Sequence, residues 1–363
     1  MKKLSLLSTG ALLLMSATAS AFESAPSMIF VGSNYSGHEE ITRQALNNIS
    51  KKIKEADTAN PLFDLSDLNF DLAPEAKGLF GYKSKNMVIH GNFASDFPKQ
   101  TNVMSLPDFW NNSGFADFEN PKSQVIHFLK NYKNSTTLAS ARATCLEARE
   151  NIKYITGEAI RAWDSGDKTK SLFLIGHATH TIQDSFSRAH TQRDGADNNY
   201  NLRNVCFYGV EMQKKMDFTR MGPKDLCYHS SPDSRDAIWN SSPDQYKKTL
   251  SSWSSEKSSQ CDKNNAYPQT DEQKTSCMSD EARLARVATE KYLLLVFNQI
   301  SPQNFIKRAT GDLIASLDTN LFDGPVGDAD LDQKMANGIL RCENLPDNEI
   351  VGFEPQSSGL LKE

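Results

Sequence analysis

Four side chains able to hold a cation or move a proton lie together in LFLIGHATHTIQDSFSRAHTQRD, residues 172–194: His177, His180, Asp184 and His190. On a helix, residues three and four apart share a face, so His177, His180 and Asp184 project the same way. His180 and Asp184 can grip one ion between them, and the second oxygen of a carboxylate can bridge to another. His190 follows the expected end of the helix and is placed for a neighbouring ion, completing the spacing H-x3-D-x5-H. Each polar group turned inward costs free energy unless something satisfies it, and a metal ion would do so. For any one histidine a hydrogen-bonded core position is the competing reading; the grouping points to metal chemistry. His177 has the weakest claim, with packing or support of a ligand as its expected role.

Further candidates are scattered along the chain. His38 opens a helical segment, His127 stands at an element boundary, and His229 with Asp233 forms a second H-x3-D pair in HSSPD. Asp96 in ASDFP sits beside Phe93, Phe97 and Pro98, where an aspartate of a turn is the rival reading. The six cysteines, Cys145, Cys206, Cys227, Cys261, Cys277 and Cys342, show no CxxC spacing, so thiolate ligation of a metal is not expected.

Helices must position these residues. GHEEITRQALNNISKKIKEA places Ile41, Ala45, Ile49 and Ile53 at four-residue steps, an apolar stripe opposite a charged face. Residues 57–122, rich in Asn, Asp, Pro, Gly and Phe, predict a long loop region with short helices, including HGNFASDFP. LASARATCLEARENIKYITGEAIRAWDSGD predicts a long helix stopped by a turn at Asp164 to Asp167, and the next helix carries the histidine motif. Residues 191–233 and 254–279 read as polar excursions pinned by cysteines, with a helical segment, PDSRDAIWNSSPDQYKKTLSSW, overlapping and following the first. Ser279 and Asp280 cap the amphipathic EARLARVATEKYLLLVFNQI. Period-two alternation is scarce and no repeat is visible. The expected fold is therefore all-α, a multi-helix bundle with long disulfide-pinned loops.

The chain has 363 residues, 38% hydrophobic content and a net charge of −5, which argues against a nucleic-acid coat or a strongly cationic membrane binder. Lys2 and Lys3, the apolar run Leu4 to Ala17 and the small residues Ala19-Ser20-Ala21 predict a cleaved signal peptide over 1–21, with the mature chain starting at Phe22 in a secreted or periplasmic setting. A helical catalytic domain is expected over 22–300 and a C-terminal extension over 301–363. In an oxidising compartment disulfides are expected. Nearest-neighbour pairing joins Cys206 to Cys227 and Cys261 to Cys277, leaving Cys145 for Cys342, one of the fifteen connectivities open to six cysteines.

The order His38, Asp96, His127, His180-x3-Asp184-x5-His190, His229-x3-Asp233 resembles that of the bacterial zinc-dependent phospholipases C, including the alpha-toxin-like enzymes, and of their relatives the fungal single-strand nucleases. The likeness runs over roughly residues 22–235. It implies a helical catalytic domain holding three zinc ions. His127, His180, Asp184 and Asp96 would surround one, Asp184 would bridge to a second held by His38, and His190, His229 and Asp233 would hold the third. The family also uses the amine and carbonyl of an N-terminal tryptophan. Phe22 stands there in this chain, and a backbone chelate does not depend on the side chain. Asp233 replaces the family's usual glutamate, and the gap from His190 to His229 is longer than in the family.

What the resemblance implies is hydrolysis of a phospholipid such as phosphatidylcholine, at a membrane surface, to diacylglycerol and a phosphorylated headgroup. Asp96 would orient or deprotonate the attacking water. Trp110 and Phe115 in LPDFWNNSGFADF would meet lipid, line the cleft or serve as core anchors. No nucleic acid and no obligate protein partner are expected. Two alternatives remain open: a zinc-dependent single-strand nuclease or nucleotidase on the same cluster, and a secreted zinc-binding, membrane-acting protein without turnover. The tail does not resemble the calcium-binding sandwich of alpha-toxin-like members. Asp328, Asp330 and Asp332 read as a solvated acidic turn, because Gln333 and Ile339 stand where an EF-hand needs Gly and Glu.

Overall fold

The computed structural model describes residues 37–56, 72, 74–77, 81–96, 121–130, 132–134, 137–187, 190–194, 199–206, 278, 280–300, 309–327 and 335–351. Helix makes up 70% of the described residues, so this part of the chain is mainly helical, as expected. The helices are α1 (Gly37–Ala56), α2 (Met87–Asp96), α3 (Pro121–Ile126), α4 (Ala141–Asp164), α5 (Lys168–Asp184), α6 (Asp280–Ile300) and α7 (Thr310–Leu317). A π-helical turn, Asp318–Phe322, extends α7.

Strands are short and all antiparallel. β1 (Pro74–Lys77) pairs with β2 (Gly81–Ser84), and β3 (Tyr132–Asn134), β4 (Thr137–Leu138) and β9 (Ile350–Val351) form a three-stranded sheet. β5 (Thr191–Arg193) pairs with β6 (Leu202–Val205), and β7 (Pro325–Gly327) with β8 (Met335–Asn337). The β1–β2 hairpin lies in the tract read as loop with short helices. Strands of four residues hold too few side chains for an alternating pattern to stand out.

α5 is the centre of the fold, packed against α2, α4 and α6, with α1 closing over α2 and α6. Every residue from Ser171 to Asp184 is buried. The stripe read on α1 faces this core, with Ile41, Ala45 and Ile49 fully buried. α4 contributes Ala148, Ile152, Ile155 and Ala159, and α6 contributes Ala285, Ala288, Tyr292 and Val296. Full burial of a large aliphatic chain such as Ile152 or Val296 stabilises by roughly 1.5–3 kcal/mol. Buried Tyr292 satisfies its hydroxyl on Thr156 Oγ1 at 2.9 Å.

Local signals set the central hairpin of helices. Ser140 caps α4 by accepting from the Ala143 amide at 3.0 Å. α4 ends at Ser165 and Gly166, the glycine taking φ +89°, and Asp167 then caps α5 by accepting from the Lys170 amide at 3.0 Å. This is the turn expected at Asp164 to Asp167.

At the crossing of α2 and α5 the backbones touch. A Cβ on Gly91 would lie 1.9 Å from the Phe173 carbonyl oxygen, and one on Gly176 would lie 1.9 Å from that of Val88. Only two glycines facing each other across the crossing permit so close an approach.

Cys145 of α4 is bonded to Cys342, Cα to Cα 5.6 Å, joining segments 197 residues apart. Arg149, one turn further along α4, binds Asp318, Asp323 and Glu343 from the same C-terminal region, at 2.6–3.3 Å. Cys206 is disulfide-bonded as well. Replacing Cys145 and Cys342 by alanine is expected to lower unfolding free energy by about 2–5 kcal/mol. Urea denaturation checks this, and an unchanged midpoint would mean that the Arg149 contacts suffice. No helix among the described residues is long and apolar enough to cross a membrane. The signal segment 1–21, the helical segment beginning at Pro232, and Cys227, Cys261 and Cys277 lie outside the described residues, as do Trp110, Phe115 and the Asp328 to Asp332 turn.

Candidate metal centre

Four stretches of chain meet at the C-terminal end of α5. His38 comes from the first turn of α1, His127 from the turn after α3, His180 and Asp184 from α5 itself, and His190 from the turn leading into β5. All five are buried.

The local structure explains each orientation. α3 closes with the Leu129 amide donating to the Gln124 carbonyl at 2.9 Å and the Phe128 amide to that of Val125 at 3.1 Å, a Schellman pattern. Phe128 sits at the left-handed position, φ 51°, where glycine is usual, and its fully buried ring offsets that strain. The sharp turn directs His127 towards α5. His190 is held by its amide on the Ser187 carbonyl at 3.0 Å and by its carbonyl, which accepts from the Cys206 amide at 2.7 Å. Cys206 in turn accepts from the Lys130 amide at 2.8 Å, so the disulfide-bonded residue ties the His127 and His190 segments together.

Asp184 is the hub. Its Oδ2 lies 3.1 Å from His180 Nε2, 3.4 Å from His127 Nδ1 and 3.8 Å from His190 Nδ1. Its Oδ1 lies 3.1 Å from His38 Nε2. His127 Nδ1 and His180 Nε2 are themselves 3.1 Å apart. Neither carboxylate oxygen has a hydrogen bond of acceptable angle from a described residue. Two donor atoms bound at about 2.0–2.1 Å in a tetrahedral shell are about 3.3–3.4 Å apart, so the 3.1–3.4 Å spacings among Asp184, His38, His127 and His180 are compatible with ligands around a cation, whereas His190 Nδ1 lies farther off. His38, His180 and Asp184 each offer an atom within 4.8 Å of the others, and this buried group could hold a metal ion.

Electrostatics couple Asp184 to the imidazoles around it. Burial holds His180 well below the usual histidine range, with Asp184 opposing and His38 adding to the effect. Burial would raise the Asp184 carboxyl, but His190, His180, His38 and His127 together hold it well below the usual carboxylate range. Neutral imidazoles and an ionised carboxylate are the states that bind metal. His190 Nδ1 is hydrogen-bonded to the His127 carbonyl, which can only accept, so Nε2 is the nitrogen of the neutral ring able to ligate.

His177 lies on the same face but turns to α2, where its Nδ1 meets Ser95 Oγ at 2.5 Å. Burial lowers it to about 3, so it is a neutral core histidine. Among the expected ligands, His38, His127, His180, Asp184 and His190 are brought together. Asp96 is the last residue of α2, its side chain outside the described residues, as are Phe22, His229 and Asp233.

Two buried polar residues beside the centre, Gln183 and Asn92, were not singled out from the sequence, and neither was His90, which is buried at the α2–α5 crossing. Gln183 contacts His38, and Asn92 contacts Gln183. His90 packs edge-on against Phe173, ring centroids 5.9 Å apart. The signal for the first two was a Gln and an Asn within otherwise small or apolar helical runs. Comparison with family models, with curated proteins and with solved structures found no match.

Proposed function

We propose that this protein is a secreted or periplasmic zinc-dependent phosphodiester hydrolase of the phospholipase C type, cutting phospholipids such as phosphatidylcholine to diacylglycerol and a phosphorylated headgroup. The observation that carries the reading is Asp184, fully buried, with one oxygen beside His127 and His180 and the other beside His38. A carboxylate placed so can bridge two cations, the arrangement that the ordered residue pattern of the zinc phospholipases C implies. His190, with His229 and Asp233, would serve a third ion, and the backbone of Phe22 would complete the cluster. Bound zinc would supply charge neutralisation at the phosphoryl oxygens and lower the pKa of a coordinated water from about 15.7 towards 7. Asp96 would orient that water or take its proton. Asp184 and the buried histidines would keep the reacting centre in a low-dielectric setting, where charge stabilisation is strongest.

Zinc determination on the purified mature chain, with assays on phosphatidylcholine vesicles, single-stranded DNA and nucleotides, tests the reading. About three zinc ions per chain and release of phosphocholine are expected, and Asp96→Asn should abolish release. Turnover of DNA or nucleotide alone would redirect the assignment to the nuclease branch. Zinc without any turnover would mean a binding protein, and no zinc after metal-replete purification would sink the metal reading.

A further inference from the structure

We infer that Gln183 is a positioning residue that fixes the tautomer of His38, so that His38 Nε2 is presented to the cation with its lone pair exposed. The inference rests on the metal reading of the Asp184 centre and concerns a residue beside it that belongs to no ligand set.

The hydrogen bonds can be followed one by one from a backbone carbonyl. Thr179 Oγ1 donates to the Gly176 carbonyl at 2.6 Å, so that hydroxyl has only acceptor capacity left. The Asn92 group 3.0 Å from it must then be the amide nitrogen. The same Asn92 nitrogen lies 3.2 Å from Gln183 and donates its other hydrogen there, which assigns the facing Gln183 atom as Oε1. Gln183 Nε2 consequently points the other way, donating to Thr42 Oγ1 at 2.8 Å and Thr289 Oγ1 at 3.2 Å. A flipped Gln183 would set two donors against each other at Asn92.

His38 Nδ1 lies 2.8 Å from this same Gln183 Oε1. An amide oxygen only accepts, so Nδ1 carries the proton and Nε2 of the neutral ring carries the lone pair. That lone pair faces Asp184 Oδ1, also an acceptor, at 3.1 Å. Two acceptors in a fully buried contact repel unless positive charge lies between them, a second ring proton or a metal ion, and the metal ion meets that need without charging the imidazole. Thr42, Asn92, Gln183 and Thr289 come from α1, α2, α5 and α6, so four helices set the orientation of one imidazole. Outer hydrogen bonds of this kind fix ligand tautomers in metal sites, and losing one lowers metal affinity about 10–100-fold.

Long-range 1H–15N NMR of the imidazole rings in the zinc-loaded wild-type protein reads the tautomer without any substitution. His38 should show a protonated Nδ1 and a metal-shifted Nε2; an Nε2–H tautomer overturns the inference. Zinc affinity, measured by competition with a chromophoric chelator, should fall about 10–100-fold in Gln183→Leu and stay within about threefold of wild type in Gln183→Glu, which keeps the acceptor. Wild-type affinity in Gln183→Leu also overturns it. Should Gln183→Leu fail to fold, the wild-type spectrum and Gln183→Glu decide. A wild-type chain that binds no zinc would instead remove the metal reading on which the inference rests.

Discussion

Asp184→Asn is expected to abolish metal binding while leaving the chain folded. The carboxylate is fully buried among four imidazoles, and the amide is nearly its shape. An amide keeps one acceptor oxygen and adds a donor beside His38 Nε2 and His180 Nε2, which lie 3.1 Å from the carboxylate oxygens, so the variant can fill the same buried space. What it removes is the negative charge and one lone-pair oxygen that the cation needs. The loss of affinity should therefore exceed the roughly 10–100-fold that outer-shell changes cost. Free zinc at a hundred times Kd stabilises a binding chain by about 2.7 kcal/mol, and that increment should vanish in the variant. Scanning calorimetry with and without zinc separates the effects. A zinc-dependent rise in Tm that survives in Asp184→Asn would show that the ion does not touch Asp184.

Gly176→Ala is the largest expected loss of stability from a single methyl group. The new Cβ would lie 1.9 Å from the Val88 carbonyl oxygen and 2.9 Å from the Asn92 amide nitrogen, both backbone atoms that cannot swing aside. The two helices would have to separate by about 1.5 Å to restore an ordinary contact, breaking a close-packed seam along their length. The cost should reach or exceed the roughly 3 kcal/mol top of the usual overpacking range, far outweighing the better helix propensity of alanine. Gly91→Ala should behave alike, since its Cβ would meet the Phe173 carbonyl oxygen at 1.9 Å. The displacement also pulls Asn92 from Thr179 and Gln183, so any folded fraction should bind zinc more weakly. Chemical denaturation of both variants checks the stability loss; a change below about 1 kcal/mol would mean that the crossing is looser than the backbone contact indicates.

Much of the local structure was legible before folding was considered. The four-residue steps of Ile41, Ala45 and Ile49 report which face of α1 goes inward, and those side chains are fully buried. The turn between α4 and α5 was legible because Gly166 and Asp167 carry their own backbone chemistry. The pairing of Cys145 with Cys342 occurs in three of the fifteen connectivities that six cysteines allow, was suggested by pairing nearer neighbours first, and the fold bonds the two. The π-helical turn at Asp318–Phe322 and the hairpins carried no comparable signal, because short elements take their conformation from what they pack against.

The candidate site divides along the same line. His180 and Asp184 belong together by the 3.6-residue period alone, and the residue order extended the set to His38, His127 and His190 as expectations. That those histidines converge on the two oxygens of Asp184 was decided by the tertiary structure, through the left-handed turn at Phe128 and the link from Cys206 to Lys130. The same holds for Gln183 and for the facing glycines. Periodicity records which side of a helix is inward but carries no information about the partner it meets. Gln183 looks inward like any core residue until α1, α2 and α6 bring His38, Asn92, Thr42 and Thr289 around it. Gly91 and Gly176 look like weak points in two helices until their backbones are seen to touch. Local chemistry thus determined the ligand pair and the helices, whereas the neighbours that turn a polar face into a metal centre depended on contacts between residues distant in the chain, available only once the helices had packed.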